Sequence, residues 1–192
     1  MTSRSTALEM AVLGLLHDAP MHGYELRKQL IGLLGWGRVL SYGTLYPCLK
    51  SLVRDGFLDA EGTSGGRNRI EYTLTAAGKE RFVALVAETG PTAWDDDNFG
   101  IHFAFFARAD LPTRVRILEG RRSRLEQRLD HFRASISRSR ERRDAYTLEL
   151  QRHGLESGKR EVRWLTELIH AERAGGRPPG GSNPNPPPKE TS

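Results

Sequence analysis

Cysteine is almost absent from this 192-residue chain, which has only Cys48. A single thiol excludes an internal disulfide, and it excludes any zinc site that needs two cysteines from one chain. Long apolar runs are missing as well. The most apolar stretch, residues 7–16, contains Glu9 and falls short of the ~18 residues that a membrane span requires. No basic cluster precedes it and no small-residue cleavage site follows, so it is a poor signal peptide. The six histidines (17, 22, 102, 131, 153, 170) lack tight metal spacing. There is no P-loop, no GxSxG, no dinucleotide fingerprint behind a strand and no carboxylate pair on a plausible cleft. These absences exclude an enzyme and leave an expectation of a cytoplasmic protein with no cofactor, no metal and no membrane partner.

A strong excess of one charge is lacking too. Lys and Arg total 29 against 24 Asp and Glu, a net of +5. Residues 1–90 hold 10 bases and 9 acids, while 111–143 hold 11 Arg and 4 acids. Any nucleic-acid contact in the first half must therefore rest on particular residues and not on bulk charge.

Residues 7–90 read as three helices, two strands and a helix. Leu8, Val12, Leu15 and Leu16 repeat at helical spacing, and the helix stops near Asp18–Pro20. A second helix opens around His22–Gly23, buries Leu26, Leu30 and Leu33 or Leu34, and is interrupted by Gly35 and Gly37. Ser41 is a good N-cap for a third helix, with Leu45, Leu49 and Leu52 on one face and Gly56 suited to the left-handed position past its end. Phe57–Glu61 and Arg69–Leu74 alternate with period two around a turn-tolerant loop, and Thr75 caps a helix that points Phe82, Leu85 and Val86 inward. Three helices followed by a β-hairpin make a winged helix-turn-helix.

The second half is built differently. Phe99 to Ala107 is a short apolar helix, and Leu111–Pro112 opens a long one. Positions 111, 115, 118, 122, 125, 129, 132, 136, 139, 143, 146 and 150 alternate in steps of four and three, and nine of the twelve are apolar or aromatic. That pattern predicts a coiled-coil seam in a helix roughly 60 Å long, ended by His153–Gly154. A last helix spans about Lys159–Arg173. The expected fold class is mainly α with a small β-wing: a winged helix-turn-helix followed by a long-helix dimerisation domain. The expected domains are 1–90 for DNA binding, 91–174 for dimerisation and 175–192 as a disordered tail, the last holding six Pro and four Gly and no large apolar side chain.

The residues Leu8–Leu16, His22-Gly23-Tyr24-Glu25-Leu26, Gly43-Thr44-Leu45-Tyr46-Pro47, Gly66-Arg67-Asn68-Arg69 and Tyr72-Thr73-Leu74-Thr75 occur together, in this order, over about 80 residues. Together they resemble the PadR family of bacterial transcriptional regulators. The resemblance implies a winged-helix regulator that dimerises through its C-terminal helices, and some members of this build hold small hydrophobic or aromatic ligands near the dimer interface. Where the family often has Lys and an aromatic after the second wing arginine, this chain has Ile70 and Glu71. That departure shifts the expected phosphate contacts toward Arg67 and Arg69.

In a helix-turn-helix the first turns of the second motif helix reach base edges in the major groove. Here that helix is the third: Thr44 suits a base edge, Gly43 permits close backbone approach, and Tyr42, Tyr46 and Lys50 can reach phosphates, with the N-cap Ser41 a further DNA-contact candidate. Tyr46 and Pro47 also admit a packing role. Tyr24 is placed for a phosphate beside the groove, followed by Arg27 and Lys28, which fit a solvated charged face equally well. Arg67, Asn68 and Arg69 form the wing tip, for phosphates or the minor groove. The dimerisation candidates are Phe103, Phe106, Leu118, Leu125, Leu129, Phe132, Ile136, Trp164, Leu165 and Ile169. Cys48 reads as a small buried residue in preference to a redox sensor. Asp95–Asp97 are candidates to pair with the Arg-rich stretch across a dimer. These features lead to an expectation of a homodimeric regulator, a repressor, on an inverted-repeat operator of double-stranded DNA, with a small-molecule effector of unknown identity as a further partner. A protein–protein adaptor that binds no DNA is the competing class.

Overall fold

The computed structural model describes residues 3–34, 42–63, 69–138 and 144–175. The chain divides into two compact units, residues 1–117 and 118–192. The first contains α1 (Ser3–Leu16), β1 (Met21–His22), α2 (Gly23–Leu34), α3 (Tyr42–Arg54), β2 (Leu58–Thr63), β3 (Arg69–Leu74), α4 (Ala76–Val86) and α5 (Phe99–Ala104), with short 3₁₀ turns at Pro91–Trp94 and Phe106–Arg108. Helix α6 (Leu111–Arg138) crosses the division, and α7 (Ala145–Arg173) completes the second unit. Among the described residues no helix is long and apolar enough to cross a membrane.

Helix α1 is the centre of the first unit because it is apolar nearly all round: Ala7, Met10, Ala11, Val12, Leu13 and Leu16 are all buried. The expected faces of its neighbours close over it, with Leu26 and Leu30 from α2, Leu45, Leu49 and Leu52 from α3, and Phe82, Leu85 and Val86 from α4. Gly14 is required by this packing. A Cβ there would lie 2.4 Å from the Phe105 ring, which itself meets Phe82 edge-on at 5.4 Å between centroids. Cys48 is half-buried against the same core, and its thiol is pushed up to about 12, by burial first and by the Glu9 charge second. At neutral pH it is therefore a protonated thiol packed on apolar groups.

The sheet has three strands where the period-two pattern predicts two. Its order is β1-β3-β2, all antiparallel, with Met21 opposite Tyr72 and Leu58 opposite Leu74. Strand β1 is two residues long, too short to show any alternation. Thr75 caps α4 as expected, its Oγ1 accepting from Gly78 N at 3.0 Å. Gly56 ends α3 with φ at +77°, the left-handed region expected of it.

The C-terminal helices correct the expected boundaries. Asp110 starts α6, its Oδ1 accepting from Thr113 N at 2.8 Å, and the described part of the helix runs to Arg138. At 1.5 Å per residue those 28 residues span about 42 Å, against the roughly 60 Å expected of one continuous helix, and positions 139 and 143 of the seam lie outside the described residues. A new helix begins at Asp144, whose carboxylate accepts from Tyr146 N and Thr147 N, both at 2.9 Å. Positions 146 and 150 of the apparent seam thus belong to α7. His153–Gly154 ends nothing: it lies inside α7, which runs unbroken to Arg173. Within the second unit α6 and α7 pack against each other. A Cβ on Gly158 would lie 2.6 Å from Leu129 Cδ2, and one on Gly154 would lie 3.7 Å from the Phe132 ring. These glycines serve a close helix crossing, which outweighs their modest cost to helix stability. Arg121 joins the two helices by donating to Glu161 at 2.8 and 3.0 Å, and Arg173 joins them through Glu119.

Candidate nucleic-acid interface

The interface is built where three elements converge. Pairing of β1 with β3 sets His22 opposite Glu71 and brings the start of α2 beside the wing. His22 Nδ1 lies 3.4 Å from the Ile70 carbonyl oxygen, and the His22 backbone N–H donates to Glu25 Oε2 at 3.0 Å. The Glu25 carboxylate thereby satisfies one of the donors that a helix start leaves unpaired. Helix α3 closes the arrangement. A Cβ on Gly23 would meet the Tyr46 hydroxyl at 3.3 Å, so glycine there permits the first turn of α2 to lie against that ring.

The result is a concavity of about 460 Å³ lined by His22, Gly23, Tyr24, Tyr46, Ile70 and Tyr72, with Glu25 at its edge. Tyr24 is 67% exposed there, and Ile70 is an exposed apolar side chain. Burial raises the Tyr72 phenol above its ordinary value, with Tyr46 adding a smaller push, so it remains a neutral hydroxyl at pH 7. Thr44, Tyr46 and Lys50 are exposed along α3, and Lys28 is exposed on α2, while Arg27 is half-buried. Pro47 sits inside α3, where it has no N–H to give the carbonyl four residues back.

The remaining candidates fall differently. Tyr42 and Gly43 open α3 and Arg69 opens β3. Ser41, Arg67, Asn68 and the tail from residue 176 lie outside the described residues. Of the dimerisation candidates, Phe106, Leu118, Leu125, Leu129, Leu165 and Ile169 are buried within a single chain. Phe103 and Ile136 are half-buried, and Phe132 and Trp164 are each 37% exposed. Asp95 has a local task, accepting from the backbone N–H groups of Asp97 and Asn98 at 3.1 and 2.7 Å. His22, Ile70 and Tyr72 also line the concavity, although the sequence does not single them out as DNA contacts. His22 and Tyr72 stand in the motif segments, and the pairing of β1 with β3 brings them together. Among the described residues, no group of three or more His, Cys, Asp or Glu is placed to hold a metal ion.

Compared with known proteins, residues 12–84 match the sequence model of the transcriptional regulator PadR-like family. Those residues belong to the PadR-like family of transcriptional regulators. The match spans the interface, from within α1 through α2, α3 and the wing strands into α4. The PadR family is one of DNA-binding transcriptional regulators and not of enzymes, and the winged helix followed by long C-terminal helices is the architecture expected of it. No curated protein matches the chain. Among solved structures, Bacillus subtilis PadR in complex with operator DNA is 23% identical, covering 86% of this chain and 98% of that one at a TM-score of 0.42. The same protein in complex with p-coumaric acid is 21% identical, with 87% and 99% covered and a TM-score of 0.40. The PadR-like transcriptional regulator BC1756 from Bacillus cereus is 20% identical, with 88% and 99% covered and a TM-score of 0.39.

Proposed function

We propose that this protein is a transcriptional repressor that binds an inverted-repeat operator as a homodimer, acts in the cytoplasm and is released by a small-molecule effector. The observation that carries the reading is the concavity that sets the exposed Tyr24 of α2 and Tyr46 of α3 beside the wing strand β3. A groove of this kind accepts a phosphate backbone while the first turns of α3 enter the major groove. Tyr24, Arg27, Lys28, Ser41, Tyr42, Tyr46, Lys50, Arg67, Asn68 and Arg69 take the backbone, Gly43 lets the helix approach closely, and Thr44 takes a base edge. Residues 1–90 are the DNA-binding domain and residues 91–174 the dimerisation domain. Two-fold symmetry then places the two α3 helices about 34 Å apart, one turn of DNA.

Selection of random duplex DNA on the purified protein, followed by a salt titration, tests the reading. An enriched inverted repeat with steeply salt-dependent affinity is expected. On that repeat, Thr44→Ala should lose about five- to tenfold in preference over mutated sites, the scale of one base contact. Arg67→Ala should weaken every sequence alike and flatten the salt slope by about 1. An equal loss on random DNA for Thr44→Ala contradicts base reading. No enrichment, with a co-purifying partner protein, favours the adaptor class.

The dimer is tested at its exposed side chains. Leu125 and Leu129 are buried within one chain, so charging them would break the α6–α7 pairing before it reported on any partner. Phe132→Glu with Trp164→Glu places the charge on half-exposed rings instead. The double variant is expected to sediment as a folded monomer and to bind the operator at least about tenfold more weakly, as loss of one half-site requires. A dimeric double variant refutes this placement of the interface.

A further inference from the structure

The concavity beside the wing is short of charge. Among the described residues that line it there is no Lys or Arg, and its one carboxylate, Glu25, already accepts from the His22 backbone N–H. No permanent cation in these walls meets a phosphate. Tyr24, Tyr46 and Tyr72 supply neutral rings and hydroxyls, and Ile70 supplies a purely apolar side chain that is 42% exposed. The bareness of Ile70 follows from strand register. Successive residues of β3 point to opposite faces, so Ile70 shares the face of Tyr72 and Leu74, both buried in the core. It is the third member of that row and the one left uncovered. Opposite it on β2 stands Gly62, where even a Cβ would meet nothing within 4 Å. Glu71 and its partner Glu61 fall on the other face, and neither lines the concavity.

A single bare apolar side chain on a protein surface is ordinary. One that completes a wall of tyrosines in a DNA-facing concavity has a partner to find. A phosphate gains nothing from Ile70, because an anion pressed on an apolar wall loses hydration without compensation. The sugar bonded to that phosphate does gain, since a deoxyribose is uncharged and presents C–H groups. We propose that Ile70 is a further DNA contact, packing on the deoxyribose next to the phosphate that the Tyr24 hydroxyl holds. The proposal rests on the DNA-binding reading above and names the chemistry of one part of that site. It makes this strand's contribution apolar, independent of sequence and insensitive to salt, whereas the arginines and Lys50 act through charge. The other apolar group that a duplex offers is the thymine methyl, and sequence dependence separates the two.

The test measures binding of the full chain to a random-sequence duplex and to the selected operator over a salt series. Ile70→Ala is expected to bind both about fivefold more weakly, from partial loss of a buried apolar contact. The slope of affinity against salt should stay that of the parent, because no phosphate contact is lost. The heat-capacity change on binding should become less negative, the mark of apolar surface left in water. Ile70→Val should keep most of the affinity, and Ile70→Lys should steepen the salt slope by about 1 per bound chain. Because the position is exposed, all three variants should melt within about 2 °C of the parent. A loss confined to the operator assigns Ile70 to a thymine methyl and overturns the sugar contact. Unchanged affinity in Ile70→Ala, or a flattened salt slope, overturns it too. A random duplex needs no inverted repeat, so a failed operator selection leaves this comparison readable. An enriched repeat with unchanged variants removes this contact alone.

Discussion

Gly78→Ala is expected to destabilise the first unit by about 3 kcal/mol, on the scale of severe overpacking. A Cβ at Gly78 would lie 2.2 Å from the Phe57 carbonyl oxygen and 2.7 Å from Leu74 Cδ1. The leucine can rotate aside, but the carbonyl cannot, since it already accepts from Thr75 N at 3.2 Å. Thr75 is further tied down by donating Oγ1 to Gly56 O at 2.8 Å. The junction therefore joins the end of α3, the start of the wing and the first turn of α4 through backbone atoms. In a thermal melt the variant should unfold roughly 12–24 °C below the parent, from the usual 4–8 °C per kcal/mol in a small domain. DNA binding should vanish with the melt and be unchanged well below it, because Gly78 lies outside the concavity. A melt within about 2 °C of the parent would show that the junction yields.

Arg81→Leu is expected to cost about 3 kcal/mol by a different mechanism, the stranding of a buried charge. Glu9 is 5% exposed in the middle of apolar α1, and Arg81 Nε donates to its Oε1 at 2.7 Å and Nη2 to its Oε2 at 3.4 Å. The same hydrogen bond is the main cause holding the Arg81 pKa above its ordinary value. Glu9→Gln should be milder, about 1 kcal/mol, and in the double variant most of the Arg81→Leu loss should be recovered, since no charge is left to strand. Urea melts of the parent and the three variants check this, and a double variant as unstable as Arg81→Leu would refute the stranded-charge account.

The adaptor reading drew its weight from the near-neutral first half of the chain and from Glu71. The fold accounts for part of the first. Glu71 stands opposite His22 and Glu61 in the ladder and is half-buried, and Glu25 caps the helix on which Tyr24 stands. The Glu25 carboxylate is committed to that cap, so charge counting alone underestimates what the exposed hydroxyls and Lys50 offer a phosphate.

Much of the first unit was legible in the sequence because its signals are local. Apolar spacing in α1 to α4, the Thr75 cap, the left-handed Gly56 and the alternation in β3 are each set within a few residues, and each stands where the pattern put it. The family motifs were legible for the same reason, since His22–Leu26 and Gly43–Pro47 are contiguous. What only the tertiary structure decided is non-local. Strand β1 exists because Met21–His22 finds β3 some 50 residues away, and that pairing assembles the concavity. His153–Gly154 reads as a break in sequence, yet it lies inside one helix, with the Phe132 ring 3.7 Å from where a Cβ on Gly154 would stand. The exposure of Ile70 has no sequence signature at all, because which residue stands opposite it is a property of the paired strands.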